Sequence, residues 1–311
     1  MVDILLAAYN GENYIAEQLD SILQQTCRDF RIIIRDDGSR DSTCSILRRY
    51  EAKHPDRIRV MVNQPTTGAA KKNFFQLLSD SDSEYVMFCD QDDIWGPDKI
   101  ALTMNEMDKL EKQYGKAVPL LVHTDLSVAD RTGRVIADSF QRYMKLPVQK
   151  AFNRLIIQND VTGCTVMINR CLAEYMRQAD QTDRILMHDH WAAMIASVFG
   201  KRAYLDIPTM RYRQHGDNSV GAKDAGSISY LYGRFRAGRK QFRKELLRSA
   251  EQAAYFMEVY GSLPMEAEGK LLLTAYSGLG RMNKLQRIRF YAKYQVWKQG
   301  MIRRIMQIVW G

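Results

Sequence analysis

The sequence predicts an α/β protein: a Rossmann-like, mostly parallel sheet with flanking helices, followed by a C-terminal helical region. Three observations carry this. Over residues 1–125, short apolar runs alternate with segments of helical period, the rhythm of βαβ units. Polar and acidic clusters stand where the apolar runs end. Beyond residue 221 the patterns read as helices, and the positive charge gathers there.

The elements follow in order. Val2–Ala8 is a short apolar strand, and Tyr14–Gln25 carries Leu19, Ile22 and Leu23 at helical spacing. Phe30–Arg35 holds the β-branched run Ile32-Ile33-Ile34 and enters the turn Asp36-Asp37-Gly38-Ser39. Asp41–Tyr50 reads as a helix with Asp41 or Ser42 as N-cap. Ile58–Val62 is a strand, Asn73–Leu78 a helix core, and Tyr85–Cys89 a strand that runs into Asp90-Gln91-Asp92-Asp93. Pro97 opens a helix to about Tyr114, because proline fits a first turn. Leu120–Thr124 is the next strand, and Arg131–Arg134 turns a hairpin between Leu126–Val128 and Val135-Ile136. Val161–Ile168 reads as a strand, His188–Phe199 as a helix, Ala203–Leu205 as a short strand and Tyr212–Asn218 as a polar loop. Gly221–Ser229, rich in Gly, Ala and Ser, marks a boundary before helices over about 229–260 and 266–307.

With 311 residues the chain can bury a large core without disulfides or metals. Apolar residues at 46% and charged residues at 26% exclude wholesale disorder. Five widely spaced cysteines, none in a C-x-x-C pair, argue against a disulfide scaffold and a cysteine zinc site, and suit a reducing compartment. Val2–Ala8 follows the first residue with no basic stretch before it and no cleavage pattern after it, so no signal peptide is expected. No window approaches the length of a transmembrane helix. The formal net charge is +9, unevenly spread: residues 222–311 hold 17 Lys and Arg against 6 Asp and Glu, and residues 1–221 hold 28 against 30. The basic segment therefore suits an anionic partner.

Ligands of open parallel sheets sit beyond the carboxyl ends of the strands, where Tyr9-Asn10, Asp36-Asp37 and Asp90–Asp93 fall. Three carboxylates in four residues repel one another. A divalent cation held by one or two of them plus substrate phosphates relieves that conflict; a solvated acidic turn is the plainer alternative. Asp37 at a strand end can accept bonds from a ribose or base edge, or simply close a turn. Tyr9 and Asn10 can contact a base, or Asn10 can cap a helix. No glycine-rich phosphate cradle occurs, so metal and cationic side chains such as Lys71 and Lys72 must hold phosphates. In His188-Asp189-His190-Trp191 the aspartate is either a cap or a tuned general base. His215, in the run Arg211–Asn218, is either structural or a ligand of metal or diphosphate.

Together these motifs resemble family 2 glycosyltransferases, inverting and metal-dependent enzymes of the GT-A fold, in their rhamnosyltransferase-like branch. Ala7-Ala8-Tyr9-Asn10-Gly11 is similar to the family's opening strand and loop, and Ile34-Arg35-Asp36-Asp37-Gly38-Ser39 to its nucleotide-binding turn. Asp90-Gln91-Asp92 is similar to its metal motif, His188-Asp189-His190-Trp191 to its catalytic-base segment, and Tyr212–Asn218 to the late histidine loop of that branch. The likeness covers residues 1–220. It implies a catalytic domain over 1–221, with a nucleotide-binding half (1–125) and an acceptor-binding half (126–221); the basic helical region over 222–311 lies outside the resemblance. The likeness also implies a nucleotide-sugar donor touched by Tyr9, Asn10, Glu12 and Asp37, with Asp90 on the ribose or sugar side and Lys72 near the phosphates. Mg²⁺ or Mn²⁺ would sit on Asp92 and His215, and Asp189 would be the base. Thr162, Gly163, Cys164, His188 and Trp191 would lie on the acceptor side. The phosphate region departs from the family, with Lys71-Lys72 in place of a single Arg.

The expected activity is transfer of a sugar, rhamnose by the branch resemblance, to a cell-surface polysaccharide or lipid-linked glycan. The rivals are a catalytically inactive assembly protein and a nucleotidyltransferase. For the C-terminal helices, either an anionic membrane surface or the catalytic domain is the expected partner. Nucleic acid is not expected, since no recognition motif accompanies the charge. The expected location is the cytoplasm, or the cytoplasmic face of the membrane.

Overall fold

The structure is a computed structural model that describes residues 1–61, 65–145, 148, 151–215 and 228–311, with side chains in the last stretch from residue 238 onward. The first half alternates strand and helix: β1 (Val2–Ala8), α1 (Ile15–Leu23), β2 (Phe30–Asp36), α2 (Thr43–Lys53), β3 (Ile58–Met61), α3 (Ala70–Ser79) and β4 (Tyr85–Asp90). Then come β5 (Ile94–Trp95), α4 (Lys99–Tyr114), β6 (Leu120–Ala129), β7 (Val135–Ala137), α5 (Phe140–Tyr143), α6 (Phe152–Leu155), β8 (Val166–Asn169) and α7 (Arg170–Arg177). The chain continues through α8 (His188–Phe199), β9 (Lys201–Arg213), α9 (Ile228–Tyr260), α10 (Ala267–Ser277), α11 (Lys284–Tyr294) and α12 (Met301–Trp310).

Among the described residues the strands form one sheet in the order β3-β2-β1-β4-β8-β6-β9-β5, with β7 on β6. Strands β1 to β4 are parallel to one another, β8 runs antiparallel to β4 and β6, and β6 and β9 are parallel. The sheet is thus mostly parallel with helices on its faces, as the alternating sequence predicts. Side chains alternate across it. Leu5, Ile33, Val86 and Phe88 face one core with α3, α7, α8 and α9, whereas Ile4, Leu6, Ile32, Ile34 and Met87 face the other with α1, α2 and α4. Because both faces are covered, the strands read as continuous apolar runs.

The parallel register places the chemistry. Ala8 pairs with Asp36 and Ala7 with Asp90, so the ends of β2 and β4 flank the end of β1 at one level. Asp41 does the capping work for α2 without being its first residue: its Oδ1 accepts from the Thr43 amide at 3.0 Å.

Two sequence expectations change. Only Val166–Asn169 of the stretch 161–168 is strand; Gly163–Thr165 is a 3₁₀ turn in which Thr162 O accepts both the amide and the hydroxyl of Thr165, at 2.9 and 2.6 Å. The strand expected over Ala203–Leu205 runs from Lys201 to Arg213, taking Tyr212 and Arg213 out of the loop. Pro208 lies opposite Asp125, between register shifts, so the irregular ladder absorbs its missing donor. The boundary at 221–227, and with it the division between 221 and 222, lies outside the described residues, as do Val62 and Gly216-Asp217-Asn218 of the histidine loop.

The C-terminal helices pack on the sheet domain. Trp191 of α8 is fully buried and meets Tyr255, Phe256 and Tyr260 of α9 at ring-centroid distances of 5.4, 5.3 and 5.8 Å. Gln252 of α9, also fully buried, accepts the Leu186 amide at 2.7 Å and donates toward His190 Nδ1 at 3.1 Å. Among the described residues no helix is long and apolar enough to cross a membrane. Trp191→Ala empties the centre of this joint and is expected to cost about 3–5 kcal/mol in a urea titration. A cost below about 1 kcal/mol would mean that α9 does not depend on it.

Candidate active site

The rim is built on the β1 turn. Asn10 adopts φ 48°, a left-handed conformation that asparagine tolerates, and turns the chain back over β2. Its amide donates to Ser39 Oγ at 2.8 Å, and its side-chain oxygen accepts from the Arg40 amide at 2.9 Å. Glu12 accepts from the Ser42 amide at 2.9 Å. Asn10 and Glu12 therefore stitch the β1 loop to the start of α2. Tyr9 stands 53% exposed above this seam, its backbone fixed by two reciprocal bonds of 2.8 Å with the Gln91 side chain. Gly11 permits that approach: a Cβ there would stand 2.3 Å from Gln91 Oε1.

Asp37 is buried at the end of β2. Oδ1 accepts from Arg35 Nη1 at 3.1 Å and the Thr67 amide at 2.5 Å, and Oδ2 from Thr67 Oγ1 at 2.9 Å and the Gly68 amide at 3.0 Å. A carboxylate offers about four lone-pair sites, so all are taken by the chain itself. Asp37 holds the 67–68 loop against the β2 end. Lys72 pairs with Asp183 at 2.8 Å, and Lys71 donates to the carbonyls of Asp183 and Ile185, which ties α3 to the segment before α8.

The acidic cluster closes the rim. Asp92 Oδ2 lies 2.7 Å from His215 Nε2. The His215 ring stacks on Tyr14, with centroids 4.7 Å apart. Arg213 locks this arrangement. It donates to Asp92 O and Arg131 O at 2.9 Å and to Glu17 at 2.7 Å, and its guanidinium lies 5.0 Å from the Tyr14 ring centre. The end of β9 is thereby fastened to the turn after β4.

Asp90, Asp93 and Cys164 offer ligand atoms within 4.8 Å of one another. Burial first, then the charges of Asp92 and Asp189, raise the Asp90 pKa. Asp93 is fully buried and its carboxyl is held well above the usual range by burial and its acidic neighbours; its Oδ2 has no hydrogen-bond partner. Beneath the turn lies Lys99, buried, its ammonium lowered to about 8 by burial while Cys164, Cys89 and Asp93 oppose that drop. Its Nζ contacts Thr209 Oγ1 at 3.3 Å and lies 4.8 Å over Trp95.

Asp189 sits in the first turn of α8, where a helix favours negative charge. The His190 amide donates to its Oδ1 at 2.6 Å. Burial pushes its pKa up to about 7, against the lowering effect of the His190 and Gly163 amides and Asn159. A Cβ on Gly163 would lie 2.6 Å from His188 Nε2, so only glycine lets the turn before β8 lie on α8.

The acceptor-side residues divide. Thr162 is part-exposed and Gly163 touches the Asp189 segment. His188 is buried between Phe74 and Phe88, at centroid distances of 4.2 and 4.7 Å, with its pKa lowered to about 3 by burial. It is a neutral core residue. Trp191 is likewise core, turned away from the rim toward α9, and Cys164 is buried below Asp90 and Asp93. His188 and Trp191, expected on the acceptor side, are therefore both buried: an apolar helix face draws the rings into the core, His188 against the Gly163 turn and Trp191 toward α9.

The rim therefore unites Tyr9, Asp90, Asp92, Asp189 and His215. Asp93, part of the expected acidic run, lies there too, and Arg213, Tyr14, Lys99 and Asn159 join it without having been singled out. Asp93 belongs to the acidic run and Arg213 to the histidine loop, so both carry a sequence signal. Tyr14 and Lys99 read as ordinary helix-start residues, and Asn159 lies in an unpatterned stretch. Two neighbouring donor groups suit a divalent cation: Asp90, Asp93 and Cys164, whose ligand atoms lie within 4.8 Å of one another and include the unpartnered Asp93 Oδ2, and the Asp92–His215 pair at 2.7 Å.

A profile of glycosyl transferase family 2 matches residues 3–176. The dTDP-rhamnosyl transferase RfbG of Shigella flexneri is 32% identical over 284 residues, 86% of this chain and 91% of that protein. TarS residues 1–349 of S. aureus, solved in complex with UDP, superpose with a TM-score of 0.55 at 16% identity, over 99% of this chain and 89% of that one. The mannosyltransferase PcManGT of Pyrobaculum calidifontis, solved with GDP-Man and Mn²⁺, gives a TM-score of 0.51 at 18% identity, over 99% and 87%. The fold is thus GT-A-like.

A carboxyl raised in the folded state favours the protonated fold. Its stabilising contribution is full below the unfolded value of 3.8 and is lost as pH rises through about 7. Asp189→Asn removes that dependence. The stability of wild type relative to the variant, from urea midpoints at several pH values, is expected to fall as pH rises across that interval; a constant difference would mean that Asp189 is solvated.

Proposed function

The chain belongs to glycosyl transferase family 2 and is a glycosyltransferase, and we propose that it inverts configuration at the transferred sugar and works with Mg²⁺ or Mn²⁺. The donor is a nucleoside-diphosphate sugar, with rhamnose favoured by the likeness to RfbG. The acceptor is a cell-surface polysaccharide or lipid-linked glycan, reached from the cytoplasmic side. The observation that carries this reading is the meeting of Asp90, Asp92 and Asp189, from the end of β4, the turn after it and the start of α8, where the charges of Asp92 and Asp189 both act on Asp90.

The residues take distinct tasks. Asp92 and His215 hold the cation, with Asp90 beside them toward the ribose or sugar. The bound cation supplies charge neutralisation for the departing diphosphate. Tyr9 offers an exposed ring at the nucleoside end. Asn10, Glu12 and Asp37 shape that end by fixing the loops around it, since their polar atoms bind the chain. Lys72 could reach the phosphates only by leaving Asp183. Thr162, Gly163 and the buried Cys164 form the turn that sets the acceptor side.

In the reaction an acceptor hydroxyl oxygen attacks the anomeric carbon from the face opposite the diphosphate. The new C–O bond forms as the bond to the diphosphate oxygen breaks. The nucleoside diphosphate keeps that electron pair, and the hydroxyl proton passes to Asp189. A carboxylate ordinarily titrating near 3.8 is a weak base; burial near 7 strengthens it while leaving it ionised at neutral pH in a substantial fraction.

Asp189→Asn is expected to reduce transfer by about 10²–10⁴-fold while leaving nucleoside diphosphate binding intact. Asp92→Ala is expected to weaken the metal-linked part of that binding as well. Both are read by product release and calorimetry on one preparation. Full transfer by both variants would overturn the assignment, and release of pyrophosphate in place of a nucleoside diphosphate would point to nucleotidyl transfer. The wild-type rate is expected to rise with pH up to and through about 7 as Asp189 ionises; a rate falling over that range would exclude it as the base.

A further inference from the structure

Helix α12, Met301–Trp310, is turned inside out for a globular protein. Met301, Ile302, Ile305, Ile308 and Val309 recur at the spacing of a single helix face. A surface helix normally buries such a stripe. Here they are 78, 47, 52, 40 and 49% exposed, while the polar Gln307 is fully buried. The fully buried Gln307 explains which way the helix lies: it donates to Val296 O at 2.8 Å and accepts from the Lys298 amide at 2.8 Å, fastening α12 to the strap after α11 by its polar side. At the far end Lys284 of α11 donates to Val309 O at 3.1 Å, and its neighbour Leu285 is 69% exposed.

The surroundings are cationic. Trp310 meets Phe242 of α9 edge-on, with centroids 6.2 Å apart, so α12 lies against the basic stretch of that helix. Arg239, Lys240, Arg243, Lys244 and Arg248 of this stretch are exposed and line a shallow cleft of about 650 Å³. Arg304 is exposed on α12 itself. Residues 222–311 carry nearly three positive charges for each negative one. An outward apolar stripe with flanking Lys and Arg matches a bilayer surface, where the acyl boundary takes the aliphatic side chains and anionic headgroups take the cations.

We propose that α12 is a peripheral membrane anchor: it lies in the plane of an anionic lipid surface with Ile302, Ile305 and Val309 inserted, and the basic stretch of α9 docks beside it. A second copy of the chain could also cover the stripe by apolar contact, but it would set two strongly basic regions against each other. The inference rests on this stripe and its charge, not on the transfer chemistry, so the two fail separately.

The test is co-sedimentation of the full chain with vesicles of phosphatidylcholine alone or with about one third phosphatidylglycerol. The wild type is expected to bind the anionic vesicles at least about tenfold more tightly than the neutral ones, and less tightly in high salt. The pair Ile302→Ser and Ile305→Ser, at exposed positions and with thermal stability checked, is expected to lose about tenfold of that binding, since each aliphatic group contributes by its buried area. Asp92→Ala is expected to bind vesicles like the wild type. Wild-type chain left in the supernatant, or the Ser variant bound equally well, would overturn the proposal. So would light scattering that found a wild-type dimer abolished by the Ser pair, which would assign the stripe to a second copy.

Discussion

The structure turns on one electrostatic conflict. Several carboxylates gather where β4, the turn before β8 and α8 meet, and partial burial makes their mutual repulsion costly. Much of the neighbourhood answers that cost. The first turn of α8 offers its amide to Asp189, Arg213 draws the Asp92 segment to β9, His215 caps Asp92, and buried Lys99 stands below. The protein resolves the remainder by raising carboxyl pKa values, storing protons that an arriving cation would displace. An incoming cation and the protons on Asp90 and Asp93 would thus compete within one cluster.

The same conflict explains the rigidity of the scaffold around it. A site of like charges spreads apart unless its loops are fixed. Here Asn10 and Glu12 bind one loop, Asp37 and Arg35 another, and Gln91 a third, each through backbone amides or carbonyls. These side chains look, from sequence, like ligand-binding groups. Their chemistry is the same, but their partners are the chain. Gln252 and Trp191 extend the brace to α9, so the C-terminal helices support the helix that carries Asp189.

The layout was legible where local pattern and global fold agree. The β-branched runs gave the parallel strands because both sheet faces are covered, and the polar clusters marked the carboxyl ends of those strands. The helix at His188–Phe199 was read to its ends. Legibility failed where tertiary contacts decide. His188 and Trp191 sit beside Asp189 in sequence, but the turn of a helix sends neighbouring side chains to different faces. Arg213 acts from a strand whose length could not be read past Pro208. Lys99 carries no pattern of its own: burial beneath an acidic turn is visible only in three dimensions. The basic C-terminal third left two partners open: α9 packs on the domain, and the stripe of α12 faces outward.

The central claim is that the acidic rim takes up a cation together with a nucleoside diphosphate. The most direct measurement is calorimetric titration of Mn²⁺ into chain and nucleoside diphosphate near pH 7, repeated in buffers of different ionisation heat to count protons. The account predicts saturable binding of one cation with net proton release, because raised carboxyls ionise when the cation arrives. Binding without proton release, or no binding beyond that of the nucleotide alone, would contradict it.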